Sequence, residues 1–112
     1  MRKQMIENAA YEVATQVRAV EDSIDTTLAE IAELQCRVMR VNSVAHVGPG
    51  TIHGALEELS AALHSMVAAR GSIVNCHTEL AEAKSKVPGL RTVAFGDNEC
   101  PKIAQANLRV VA

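Results

Sequence analysis

Residues 6–41, IENAAYEVATQVRAVEDSIDTTLAEIAELQCRVMRV, decide the fold. Their apolar positions run Ile6, Ala10, Val13, Val17, Val20, Ile24, Thr27, Ile31, Leu34, Val38 and Val41, in steps that alternate four and three without a break. An α-helix turns once per about 3.6 residues, so this spacing gathers the apolar side chains into one seam, as in paired helices. Thr27 is the one polar member, and Leu28 beside it compensates. The charged residues Glu7, Glu12, Arg18, Glu21, Asp22, Asp25, Glu30, Glu33 and Arg37 fall off the seam. Arg18–Asp22 and Glu33–Arg37 have the spacing of ion pairs along a helix, each contributing about 0.3 kcal/mol.

Outward from this stretch the chain first breaks. Asn42, Ser43 and Gly48-Pro49-Gly50 favour a loop. Arg37 and Arg40 stand where the first helix ends, complementing its dipole. Thr51 is a fair N-cap for a second helix, with Glu57 and Glu58 near the start. A second stripe then reads Ile52, Ala55, Leu59, Ala62, Met66, Ala69, Ile73, Cys76, Leu80, Ala83, Val87. Beside it Leu56, Leu63, Val67 and Val74 widen the apolar face beyond what one neighbouring helix covers. Gly71 weakens this helix by roughly 1 kcal/mol relative to Ala, so a kink would fall at Arg70-Gly71-Ser72. Val87-Pro88-Gly89 stops it. The spacing predicts an all-α fold: helices over about 3–41 and 52–87, joined by a loop over 42–51. Such a connection favours an antiparallel two-helix hairpin, coiled-coil-like, either alone or as half of an oligomeric bundle.

Residues 88–112 read differently, as an extended tail or arm. Leu90 to Phe95 is strand-like, Gly96-Asp97-Asn98 is a turn, Pro101 to Ala106 suits one or two helical turns, and Leu108 to Ala112 is β-prone and apolar. The tail folds back on its own hairpin, reaches a neighbouring chain, where it would add a strand to a sheet, or is plainly disordered.

Composition narrows the function. The chain is 48% hydrophobic and 21% charged, which opposes wholesale disorder. Tyr11 and Phe95 are the only aromatics, and the net charge of −2 is mixed along the chain. Neither a basic footprint for nucleic acid nor rings for stacking bases are present, so no nucleic-acid partner is expected. No apolar run has the length of a membrane span, so no membrane partner is expected either. The N-terminus opens on the basic Met1-Arg2-Lys3-Gln4, but Glu7, Asn8 and Glu12 interrupt the apolar run that a signal peptide needs next. A signal peptide is therefore not expected, and synthesis is read as cytoplasmic.

Chemistry-bearing residues point to no reaction. Cys76 lies on the second seam and reads as a small core hydrophobe. Cys36 falls opposite the first seam and Cys100 lies in the tail, so these two are the candidate disulfide, within or between chains; reduced thiols are the simpler reading in the cytoplasm. His46, His53, His64 and His77 have no metal-ligand spacing, and no metal or cofactor is expected. Gly48-Pro49-Gly50-Thr51 precedes a helix but lacks the Lys of a phosphate loop and reads as a rigid turn. No nucleophile, base and orienting group can be proposed together, so the chain reads as non-enzymatic. Two helices around a turn are also the layout of the small secreted hairpins of type VII systems. Their turn carries Trp-Xaa-Gly; here it is Val47-Gly48-Pro49-Gly50 and the chain has no Trp, so that family is not assigned.

The expected function is a structural or accessory subunit of a larger protein assembly, with a phage or other viral particle as the concrete form. The partners would be copies of itself or other subunits. The interface candidates are Leu56, Leu63, Val67, Val74, Leu90, Val93, Phe95, Leu108, Val110 and Val111. The alternative is a small soluble adaptor or inhibitor that binds one protein partner.

Overall fold

The computed structural model describes residues 2–90. The tail readings, with Val93, Phe95, Cys100, Leu108, Val110 and Val111, lie outside the described residues. Among the described residues 89% are helical and none is in a strand. Helix α1 spans Arg2–Ala45 and helix α2 spans His53–Lys84, with a short 3-10 turn at Pro49–Thr51 between them. The fold is the expected all-α helical hairpin.

The boundaries differ from the sequence reading. Asn42 and Ser43 remain helical, because such residues weaken a helix without breaking it. Helix α1 ends only where His46 takes the left-handed conformation (φ 53°) and its N–H turns back to the Ser43 carbonyl at 3.4 Å. Thr51 is not the N-cap of α2. Its N–H closes the 3-10 turn onto the Gly48 carbonyl at 3.1 Å, with Pro49 at the first position, where a missing N–H is harmless. The first α-helical bond of α2 runs from the Leu56 N–H to the Ile52 carbonyl at 3.1 Å. Helix α2 is continuous through Gly71. It ends before Val87: the N–H groups of Ser85, Lys86 and Val87 each bond three residues back, unwinding the helix into turns. Gly89 then adopts φ 89°, which suits a residue without a Cβ.

The chain divides into two compact units. In the unit holding both chain-end segments, residues 2–15 and 74–90 among those described, Ile6, Ala10 and Ala14 of α1 and Val74, His77 and Ala81 of α2 are half-buried. Leu90, 4% exposed, is the single buried hydrophobic among the described residues. The aliphatic stem of Lys3 lies against Gly89: a Cβ there would stand 3.7 Å from the Lys3 Cγ.

The loop-end unit comprises Gln16–Ile73. Its half-buried residues on α1 are Val17, Val20, Glu21, Ile24, Leu28, Ile31, Gln35, Val38 and Asn42; on α2 they include Leu56, Leu59, Leu63, Met66 and Ile73. One column of each expected seam is therefore kept and the other is shifted by one residue. On α2 the reason is size. Turning Leu56 and Leu63 inward in place of Ala55 and Ala62 removes far more apolar surface from water. On α1 the shift brings Glu21, Gln35 and Asn42 to the seam and leaves Leu34 and Val41 open. Glu21 is compensated by Arg70, which it attracts from across the pair. The Asn42 Oδ1 is shielded and has no hydrogen-bond partner.

Candidate interaction surface

The loop-end unit presents two unlike flanks, one on each side of its seam. On α1 the seam columns are Ile24-Ile31-Val38 and Glu21-Leu28-Gln35. Residues three or four apart stack on one helix face, so Asp25 borders this seam on one side and Val20, Thr27, Leu34 and Val41 border it on the other. On α2 Arg70 continues the Leu56-Leu63 column. Val67 lies beyond it, and Ala55, Ala62 and Ala69 lie on the opposite side.

An ion pair fixes which sides match. The Arg70 Nε donates to the Asp25 Oδ1 at 2.7 Å, so the Asp25 side of α1 and the Val67 side of α2 form one flank. This hydrogen bond first, and the negative charge of Asp25 second, raise the Arg70 pKa above its ordinary value, with Glu21 adding a weaker pull. Both partners are about half exposed, so the pair orients the helices more than it stabilises them. The same flank carries Arg18 and His53; His53 lies 2.9 Å from Glu57 one turn on.

The opposite flank has no charged member. It consists of Val20, Thr27, Leu34 and Val41 from α1 and Ala55, Ala62 and Ala69 from α2. Leu34 is 48% and Val41 62% exposed. The Thr27 hydroxyl donates to its own helix, to the Ser23 carbonyl at 2.8 Å, so its polar group is already satisfied. A shallow groove lined by Gln16, Ala19, Val20, Ser23, Ile24 and Thr27 runs along this side of α1 and is also uncharged.

The residues singled out from sequence distribute unevenly. Leu56, Leu63 and Val74 are half-buried and Leu90 is buried, so the second stripe of α2 is mostly not a free surface; Val67 alone stands open, at 55%. Cys76 is a free, exposed thiol and not a core residue, because its column is the one that moved out of the seam. Cys36 is free and exposed, and its suggested partner Cys100 is outside the described residues. The Glu33–Arg37 pair forms at 3.0 Å. The neutral flank was missed as a surface because its apolar members look like seam residues. The signal that reveals it is the pair of larger leucines one place after Ala55 and Ala62.

Among the described residues, no three His, Cys, Asp or Glu side chains come together as metal ligands, and no helix is long and apolar enough to cross a membrane. The chain matches no known family model, no curated protein and no solved structure.

Proposed function

We propose that this chain is a non-enzymatic structural or accessory subunit that completes its hydrophobic core on other protein chains within a larger assembly. One observation carries this reading: neither α1 nor α2 contains a single buried residue. Ordering one residue costs about 1–2 kcal/mol of backbone entropy, and burial of apolar side chains is what chiefly offsets it. Helices of 44 and 32 residues whose best-covered side chains are only partly buried leave that offset incomplete. Covering the open apolar positions by another chain supplies the rest. A phage or other viral particle is the concrete form of such an assembly. A small adaptor for one protein partner is the second reading, favoured by the confinement of the uncharged surface to one flank.

The test is sedimentation of the chain in a native extract of the cells that make it, against the purified 12.0 kDa chain. Migration with a particle many times heavier supports a subunit. Migration with the free chain contradicts it, and migration with one small partner supports the adaptor.

A further inference from the structure

We infer that the neutral flank of the loop-end unit is the docking face for a second copy of this chain, stacked so that α1 of one copy lies on α2 of the other. The inference rests on the assembly reading and adds the identity of one partner and the face it uses.

Four observations point to a second copy. The first is area. From Val20 to Val41 the flank is about 32 Å long at roughly 1.5 Å per residue, and two adjacent helices are about 20 Å wide. That gives on the order of 600 Å² per copy, or about 1,200 Å² in total, the lower bound of a standard specific interface.

The second is shape. A twofold axis parallel to the helices places α1 of one copy over α2 of the other at unchanged height. The Asp25–Arg70 bond sets that height. Leu34 is nine residues on from Asp25 and Ala62 is eight back from Arg70, so these two meet. By the same count Thr27 meets Ala69 and Val41 meets Ala55. At each level a larger side chain from α1 faces an alanine, which lets the two layers approach closely.

The third is charge. Arg37 of α1 and Glu58 of α2 stand at the outer rim of this flank at matching height, so the stacked copies bring opposite charges together twice. Glu30 faces Ser65 there, and no like charges meet. The fourth is the satisfied Thr27 hydroxyl, which enters the interface without losing a partner.

The experiment uses the full chain. Light scattering at high micromolar concentration gives twice the 12.0 kDa mass, and Leu34→Glu returns it to the monomer mass with at least about a tenfold loss of self-affinity. Met39→Glu, on the bridged flank, leaves the dimer mass unchanged. In chains with Cys36, Cys76 and Cys100 replaced by Ser, mixing Leu34→Cys with Ala62→Cys gives a mixed disulfide dimer on oxidation. A monomeric wild type overturns the inference. So does an oligomer that survives Leu34→Glu, or the absence of the mixed disulfide. Because the assembly reading is judged by sedimentation in the native extract, this face can fail while that reading stands.

Discussion

Thr27 is two residues from Asp25, and Ala69 is next to Arg70, yet the two sides of the loop-end unit that these residues occupy have opposite character. The Asp25 side is bridged by a 2.7 Å ion pair and studded with Arg18 and His53. The Thr27 side has no charge among its central residues, only at its outer rim, and exposes Leu34 and Val41. Total hydrophobicity does not separate them, since Met39 and Val67 are also exposed on the bridged side. What separates them is whether a charge sits among the apolar groups, because a second chain covering a charge must strip its water. On the reading proposed above, the bridged flank therefore stays in solvent and the neutral one meets another chain.

Substitutions that probe this contrast rank by how much surface they disturb. Leu63→Ala removes a half-buried seam side chain and lowers stability by about 1–2 kcal/mol, less than for a fully buried leucine, as read from the midpoint of chemical unfolding. Asn42→Leu extends the same seam and removes an acceptor that has no partner, so it raises stability by roughly 1 kcal/mol. An unchanged or lowered midpoint would mean that the Asn42 side chain finds a partner in solution. Gly71→Ala lies on the outer side near the bridged flank, where a new Cβ meets nothing within 4 Å. It raises helix stability by just under about 1 kcal/mol and leaves the mass by light scattering unchanged. Asp25→Asn has the smallest effect. It lowers the thermal midpoint slightly at low salt, and the difference from wild type vanishes in about 1 M salt, where exposed charges are screened.

The existence, order and approximate extent of both helices were legible in the sequence, because a long unbroken alternation of steps is a strong helical signal. Three details were not. The end of α1 was set by His46, whose left-handed conformation is not written in its residue type. The start of α2 was displaced by the 3-10 turn that Pro49 and Thr51 build. The choice between Ala62 and Leu63, or between Leu34 and Gln35, for the inward position depends on the neighbouring helix. A stripe on one helix shows that a seam exists without showing which of its two edges faces inward. Cys76 moved to the surface for that same reason.

The central claim is that the hairpin lacks a sufficient core by itself and gains stability by association with a second copy of itself. The most direct test is the thermal midpoint of the helical circular dichroism signal over a roughly hundredfold range of chain concentration. The midpoint should rise with concentration in the wild type and should stay flat and low in Leu34→Glu. A wild-type midpoint that does not move with concentration would contradict the claim.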